Sequence, residues 1–199
     1  MIGIIDYGAG NLLSVKKALE FLGMNVKVIA SKENFDGIER LILPGVGAFQ
    51  AAIDKINERG LYAPIYQWLS EDKPFLGICL GMQLLFEESE ESPGIKGFTI
   101  FKGAVARFRN HKVPQIGWNQ VSFTRESKLL AGIDDGAFFY FLHSYYVKPH
   151  DETITAGTTQ YDVSYASIIE KGNIRAVQFH PEKSSTIGLA LLRNWVSVC

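Results

Sequence analysis

The sequence lacks the features that mark several large classes of protein. Only two of its 199 residues are cysteines, Cys79 and Cys199, which excludes a disulfide framework and a zinc site built from cysteines. No run of about 18 to 20 apolar residues occurs, so no transmembrane helix is expected. The N-terminus has no basic segment followed by a long apolar stretch, which argues against a secretory signal. We therefore expect a cytoplasmic protein with reduced thiols.

An excess of charge of either sign is also absent. The 20 Lys and Arg residues against 21 Asp and Glu give a formal net charge of −1, so the chain has no overall attraction for nucleic acid or an anionic membrane. Hydrophobic residues make up 47% and charged residues 21%, values that are average for globular proteins and exclude disorder. The length fits one domain with a substantial core, and no linker divides it, so we expect residues 1–199 to form a single domain.

The apolar pattern of the first half alternates between buried strands and amphipathic helices. Strands are predicted over 2–5, 26–30, 41–43 and 75–78, and helices over 12–22, 48–58 and 62–70. This alternation predicts an α/β fold of three layers, with a mostly parallel central sheet and helices on both faces. The stretch 98–180 is rich in β-branched and aromatic residues broken by turn formers, so extra β-hairpins are expected there, followed by a helix over 185–197.

The sharpest local signal is the pentapeptide Gly77-Ile78-Cys79-Leu80-Gly81, placed after a strand and before a helix predicted to begin near Met82. It has the pattern of a nucleophile elbow with cysteine in place of serine. Glycines two residues before and after the cysteine fit a tight, strained turn, and a helix N-terminus favours a thiolate. A buried cysteine that acts as a small hydrophobe explains the pentapeptide equally well.

A partner base for Cys79 is suggested by His180-Pro181-Glu182, one of four histidine positions in the chain. The apolar run 176–179 precedes it, so His180 lies at a predicted strand end, and the following proline favours extended backbone there. In extended chain, residues i and i+2 project to the same side, which places Glu182 beside the imidazole. A surface histidine with a solvated glutamate is the alternative for the tripeptide alone. The tripeptide and the elbow together favour a triad of Cys79, His180 and Glu182.

Two other motifs are weak. Gly8-Ala9-Gly10 suggests a dinucleotide fingerprint, but position 13 is leucine where the third glycine is required. His143 and His150 are seven residues apart without clustered carboxylates, which is poor spacing for metal ligands. We expect neither a cofactor nor a metal.

Several segments together resemble the class I, triad-type glutamine amidotransferases. The resemblance covers essentially the whole chain, and its motifs fall in the family's order: Pro44-Gly-Val-Gly-Ala-Phe49, Gly77-Ile-Cys-Leu-Gly-Met-Gln83, Ile116-Gly-Trp-Asn119, Tyr140-Phe-Leu-His-Ser-Tyr-Tyr146 and Phe179-His-Pro-Glu-Lys-Ser184. Within the family they look like the branch that serves histidine biosynthesis.

The resemblance implies a mechanism and a set of site residues. Cys79 would attack the side-chain amide of glutamine, with His180 moving protons and Glu182 orienting the histidine. The oxyanion would be bound by backbone N–H groups of Leu80 and of the loop with Val46 and Gly47. The substrate-binding residues implied are Gln83, Glu91 and the main chain of His143, Ser144 and Tyr145. For 143–146, an aromatic strand with satisfied polar groups is the alternative.

The resemblance also implies a partner, because nothing in this chain looks like a phosphosugar site. A (β/α)₈-barrel cyclase would receive the ammonia in a heterodimer, with Asn11, Trp118 and Lys183 facing it. The chain departs from the family pattern at Gln115, where histidine is frequent, so the role of that position is open. Cys199 is expected to be incidental.

Three alternatives stay open at this point. The chain could be the glutaminase of another synthase, such as that for anthranilate, guanylate, carbamoyl phosphate or pyridoxal phosphate. It could be a catalytically silent subunit that only binds and regulates a partner. It could also be a free-standing cysteine peptidase or γ-glutamyl hydrolase.

Overall fold

The computed structural model describes residues 1–198, so the expectation for Cys199 lies outside the described residues. The helices are α1 Leu12–Phe21, α2 Phe49–Glu58, α3 Tyr62–Ser70, α4 Leu80–Gln83 and α5 Ser185–Val198. The strands are β1 Ile2–Ile5, β2 Val26–Ile29, β3 Arg40–Gly45, β4 Phe75–Cys79, β5 Phe86–Ser89, β6 Phe101–Arg107, β7 Gln115–Phe123, β8 Ala137–His143, β9 Tyr145–Pro149, β10 Thr155–Gln160, β11 Ser164–Lys171 and β12 Ile174–Val177. Within this described part, no helix is both long and apolar enough to span a membrane.

One half of the central sheet is parallel. Its strands lie in the order β2-β1-β3-β4-β12, and each neighbouring pair is parallel. The strands β1, β4 and β12 are buried along their whole length, because helices cover both faces and the apolar runs have no solvent side. The carboxyl ends of these strands therefore meet at one edge of the sheet.

The other half of the sheet is antiparallel. It continues from β12 through β11, β10, β7 and β8, while β9 joins β11 to β6, and β5 pairs with β6. The α/β class predicted from the sequence, with extra hairpins in the second half, is confirmed. The sheet as a whole is mixed, since the strands beyond β12 pair antiparallel except for β5 and β6, which are parallel.

Helices cover the sheet on two sides and make the layers. On one side, α2 and α3 pack their buried residues, among them Phe49, Ile56 and Trp68, into one apolar cluster. On the other side, α1 and α5 bury residues such as Leu19 and Trp195 in a second cluster. The 3.6-residue period of these sequences places the apolar side chains on one helix face, which is why each helix can seal one face of the sheet.

Helix α4, which the sequence predicted to begin near Met82, begins two residues earlier and is a single turn. It begins at Leu80, directly after Cys79, and ends at Gln83 after a single turn. The chain leaves the helix because the Leu84 carbonyl accepts the Phe98 N–H at 2.7 Å and the Leu85 carbonyl accepts the Ile100 N–H at 2.9 Å. One turn has a small dipole, so a helix dipole contributes less to the state of Cys79 than the sequence suggested.

The turn between β4 and α4 requires glycine at its flanking positions. A Cβ on Gly81 would lie 1.9 Å from the Leu43 carbonyl oxygen, and a Cβ on Gly77 would lie 2.7 Å from the Gly81 carbonyl oxygen. Both obstacles are backbone atoms, which cannot rotate away. The close approach of β3, β4 and α4 is therefore possible only without these two side chains.

We expect Gly81→Ala to lower the free energy of unfolding by about 3 kcal/mol or more, because the new methyl group must push α4 away from β3. Gly23→Ala is the matched control: Gly23 has φ +77° but no atom within 4 Å of the added Cβ, so only the backbone cost of about 1 kcal/mol applies. Urea unfolding of both variants measures the difference. Equal destabilisation by the two substitutions would contradict this account of the turn.

Candidate active site

Cys79 ends β4 in a conformation that non-glycine residues rarely adopt, with φ 54° and ψ −108°. Because β3 and β12 flank β4 in parallel, Gly45 pairs with Cys79, and Val177 pairs with Ile78. The loop after Gly45 and the segment leading to His180 therefore emerge on either side of the cysteine. This is the carboxyl edge of the parallel strands, where ligands of open α/β sheets usually bind.

His180 and Glu182 form a buried pair. His180 Nδ1 lies 2.8 Å from Glu182 Oε1, and the two side chains are 1% and 0% exposed. His180 has extended backbone, as the proline predicted, but residues Pro181–Lys183 form a 3₁₀ turn where the sequence suggested extended chain through Glu182. The contact between Glu182 and the His180 ring was expected from extended chain. It is made instead by the 3₁₀ turn, which brings the carboxylate back onto the ring.

The electrostatics of the site favour a charged histidine. Burial alone lowers the pKa of His180, but negative charge on Cys79, hydrogen bonding to its sulfur and the Glu182 carboxylate outweigh burial and raise the pKa from 6.5 to about 10. His180 Nε2 is buried, and Nδ1 is already occupied by Glu182. The arrangement therefore favours an imidazolium on His180 at neutral pH.

Two polar side chains hold the pair in place. Asn11, which precedes α1, donates from Nδ2 to Glu182 Oε1 at 2.9 Å. Ser184 donates to the His180 carbonyl at 2.7 Å and accepts the Tyr140 N–H at 3.0 Å. Asn11 was expected to face a partner; the structure places its side chain against the glutamate of the triad. This contact spans 171 residues of sequence.

The residues predicted for the substrate and the oxyanion line one cavity of about 330 Å³ beside Cys79. Its walls include Val46, Gly47, Leu80, Gln83, Glu91, His143, Ser144 and Tyr145, together with Pro114 and Leu142, which the sequence did not suggest. A cavity of this size at the carboxyl edge of the sheet accommodates a small molecule, which supports a site for an amino-acid-sized substrate.

The residues predicted to bind the oxyanion come from two segments that line the cavity with Cys79. Leu80 is the first residue of α4, where backbone N–H groups have no partner within the helix. Val46 and Gly47 lie in the loop between β3 and α2, and Gly47 has φ +107°, a conformation that favours glycine. Both segments can therefore aim backbone donors at a substrate oxygen above Cys79.

The side chain of His143 has a structural role. Its Nδ1 donates to the Tyr145 carbonyl at 2.7 Å, and Nε2 lies 3.2 Å from the Tyr165 hydroxyl. Burial lowers the pKa of His143 to about 4, against the smaller opposing effect of the hydrogen bond to Tyr145, so the ring is neutral at neutral pH. Gln115 is buried behind it and accepts from the Tyr165 hydroxyl at 3.0 Å. The ring of His143 is thus engaged within the protein, and only the main chain of this residue remains for substrate contact.

Gln83 and Glu91 are both engaged with the protein at the cavity wall. Gln83 Nε2 donates to the Tyr145 carbonyl at 2.9 Å and to Gln178 Oε1 at 3.1 Å, which leaves the carbonyl oxygen of this side chain for a substrate. Glu91 Oε2 accepts the N–H of Phe49, the first residue of α2, at 2.8 Å. The carboxylate of Glu91 therefore adds negative charge to this side of the cavity.

Trp118 and Lys183 lie on the outer surface beside the site. Trp118 is 52% exposed on β7, and its ring contacts that of Tyr140 with centroids 6.1 Å apart. Lys183 Nζ lies 5.8 Å from the Tyr140 ring centre. Neither residue lines the cavity, so both are accessible from outside while the triad is buried.

The sequence reasoning missed Gln178. This residue is fully buried, and its Nε2 lies 3.5 Å from Cys79 Sγ. A signal was available, since an amide side chain inside the apolar run 176–179 requires a buried hydrogen-bond partner.

Comparison with known proteins gives consistent matches. The model of the family described as glutamine amidotransferase class-I matches residues 3–198. Proteins named imidazole glycerol phosphate synthase subunit HisH are 49% identical in Pyrococcus furiosus, covering 98% of this chain and 97% of the relative, and 47% identical in Methanocaldococcus jannaschii, covering 100% of both. A crystal structure of a glutamine amidotransferase superposes with a TM-score of 0.79 at 20% identity, covering 98% of this chain and 97% of that one, which supports the fold.

We expect the ring of His180 to stay protonated at pH 8, and its pKa to fall in Cys79→Ala. The substitution removes the negative charge that opposes burial most strongly. NMR titration of the ¹⁵N-labelled imidazole measures the pKa of His180 in the wild type and in Cys79→Ala. Cys199→Ser serves as the control and should leave the titration unchanged. A His180 that titrates near 6.5 in the wild type and in Cys79→Ala alike would contradict the ion pair.

Proposed function

This chain belongs to the class-I glutamine amidotransferase family, and on that premise we propose that it is the glutaminase subunit of an imidazole glycerol phosphate synthase. It hydrolyses L-glutamine to glutamate and ammonia for a cyclase partner in histidine biosynthesis. The observation that carries this proposal is the strained Cys79 at the wall of an amino-acid-sized cavity, next to the buried His180–Glu182 pair.

The first half of the reaction forms a thioester. The Cys79 thiolate attacks the side-chain amide carbon of glutamine, and the carbonyl oxygen becomes an oxyanion. Protonated His180 gives its proton to the leaving nitrogen, so ammonia departs, and the C–N bond is replaced by a C–S bond. Glu182 keeps Nδ1 protonated, so the proton that moves is the one on Nε2.

The second half hydrolyses the thioester. After ammonia leaves, His180 is neutral and can take a proton from a water molecule, whose oxygen attacks the same carbon. The C–S bond breaks, glutamate leaves, and the thiolate–imidazolium pair is restored. The raised pKa of His180 means that the free site returns to the charged pair at neutral pH.

Both halves pass through an oxyanion that requires aimed N–H donors. Leu80 provides one, because its N–H lies at the start of α4 directly after the nucleophile. The second comes from the Val46-Gly47 loop, which the pairing of Gly45 with Cys79 brings next to the sulfur. Loss of one such donor typically costs roughly 10²–10³ in turnover, so the conformation of this loop controls the rate.

The rest of the cavity fits the amino-acid end of glutamine. The Glu91 carboxylate attracts the α-ammonium group, while the main chain of 143–145 and the carbonyl oxygen of Gln83 provide polar contacts. The reacting amide then lies over Cys79. The substrate is held by one charge and several neutral dipoles, which suits a zwitterion of this size.

The cyclase partner binds the exposed hairpin beside the site. Ile116, Trp118 and Phe138 lie on strands β7 and β8 with 60%, 52% and 49% exposure, and we name these three residues the hairpin face. Three large apolar side chains exposed on neighbouring strands mark an interaction surface. Lys183 lies at its edge, next to the triad.

A (β/α)₈-barrel cyclase is the partner that fits this arrangement. The hairpin face and Lys183 lie next to the triad, so a partner docked there can collect ammonia close to where it is released. Nothing in the sequence looks like a phosphosugar site, and the chain therefore depends on the partner for the synthase reaction.

We expect glutamate release from glutamine to appear when the barrel cyclase and its nucleotide ligand are added, and Cys79→Ala to lower it at least about 10³-fold. The substitution removes the nucleophile, so the water reaction alone remains. Enzymatic assay of glutamate with and without the cyclase measures this. No release by the wild type under any condition would favour a silent subunit, and strong release without a partner would favour a free-standing hydrolase.

We expect Trp118→Ala to weaken binding of the cyclase about 30-fold, because a half-exposed tryptophan at the centre of an apolar face is typical of a residue that dominates binding energy. Phe21→Ala is the matched control, since Phe21 is 78% exposed at the far end of α1 and should leave the affinity unchanged. Isothermal calorimetry gives both affinities. If the two variants bind alike, the partner uses another surface.

A further inference from the structure

Gln178 is a buried amide whose position is fixed by the surrounding sheet. It follows β12 directly, two residues before His180, and its side chain is fully buried. Its backbone N–H donates to the Ser167 carbonyl at 2.9 Å, which extends the pairing of β12 with β11 by one residue. The side chain therefore leaves the backbone at a defined point beside Cys79.

The orientation of the Gln178 amide follows from a chain of hydrogen bonds that begins at a backbone atom. The Tyr145 carbonyl can only accept, so the end of Gln83 that lies 2.9 Å from it must be the NH₂ group. The same NH₂ group lies 3.1 Å from one end of the Gln178 amide, which must then be the carbonyl oxygen. The NH₂ group of Gln178 consequently faces Cys79 Sγ at 3.5 Å.

We propose that Gln178 is a positioning residue for the nucleophile, which donates an N–H to the Cys79 sulfur and is held in that orientation by Gln83 and the Tyr145 carbonyl. An N–H donor stabilises a thiolate more than a thiol, because the thiolate accepts with full negative charge. The inference rests on the proposed function, in which Cys79 acts as the nucleophile.

The neighbours of the sulfur explain why such a donor is needed. Cys79 is only 4% exposed, so water stabilises a charge there much less than it would at the surface. The Leu142 carbonyl oxygen lies 3.7 Å from Sγ and favours the protonated thiol, which can donate to it. Gln178, which follows β12, has the opposite effect. The sulfur is therefore in contact with one group that favours the thiol and one that favours the thiolate.

Among residues 1–198, titratable groups from three segments interact electrostatically with Cys79. They are His180, Tyr7 and Tyr165. Burial raises the pKa of both tyrosines, and negative charge at Cys79 raises it further, so these side chains are neutral at neutral pH. Of these three groups, only His180 is charged at neutral pH. Gln178 adds a neutral donor to the sulfur, and its effect on the thiolate does not change with pH.

The test is the pH dependence of Cys79 alkylation by iodoacetamide in the full chain, followed by mass spectrometry of the peptide that contains Cys79. Gln178→Met keeps the length of the side chain and removes the N–H donor. We expect the alkylation midpoint to rise by about one pH unit and turnover with the cyclase to fall about tenfold. Gln178→Glu, which replaces the donor by an acceptor, should raise the midpoint further and keeps the proposal testable if the methionine variant does not fold.

Thr159→Val is the control for general loss of a buried hydrogen bond, because the Thr159 hydroxyl donates to Ser167 Oγ at 2.9 Å in the neighbouring strands. It should lower stability and leave the alkylation midpoint unchanged. If the Gln178 variants lose stability or activity but keep the wild-type midpoint, the residue is structural and the proposal is overturned. Alkylation needs no glutamine turnover, so a shifted midpoint in a protein that releases no glutamate would overturn the proposed function and leave this inference standing.

Discussion

The site depends on the tight turn that carries the chain from β4 into α4. Cys79 has a positive φ there, and the Gly81 backbone packs so closely on the Leu43 carbonyl that no side chain fits between them. A positive φ at a non-glycine residue costs about 1–2 kcal/mol, and the surrounding sheet supplies this energy through the buried strands β3, β4 and β12. The turn leaves Cys79 at the wall of the cavity, next in sequence to the first residue of α4.

Three ionisable side chains meet in the interior beside this turn. Cys79, His180 and Glu182 are all buried, and the cost of removing an ion from water is met only where each charge has a partner. The histidine lies between the sulfur and the carboxylate, the carboxylate also accepts from Asn11, and the sulfur also accepts from Gln178. Two neutral amides therefore donate to the two ends of the group, one to the carboxylate and one to the sulfur.

The sequence predicted the parts of this site that are local in the chain. The elbow and the His-Pro-Glu segment are short patterns, and the alternation of strands and helices placed both at the correct edge of the sheet. The length of α4 could not be predicted, because it is set by hydrogen bonds from Phe98 and Ile100 to carbonyls more than ten residues earlier. The contact of Asn11 with Glu182 was out of reach for the same reason. Gln178 differs from these, because a buried position can be predicted from the apolar run around it. A buried amide requires hydrogen-bond partners, so a role for Gln178 in the site could have been predicted from the sequence.

Strand β8 links the hairpin face to the catalytic pair. The Tyr140 carbonyl accepts the His180 N–H at 2.9 Å, and the Tyr140 N–H donates to Ser184, whose hydroxyl bonds to the His180 carbonyl. Two residues further along the strand, the Leu142 carbonyl lies 3.7 Å from the sulfur. Phe138 belongs to the same strand, and Trp118 pairs directly with Tyr140. A partner that presses on the hairpin face therefore acts on both His180 and the environment of Cys79 through one rigid strand. Because hydrogen-bond energies fall steeply with distance and angle, a displacement of β8 by a fraction of an ångström is enough to change how well the two groups are aligned.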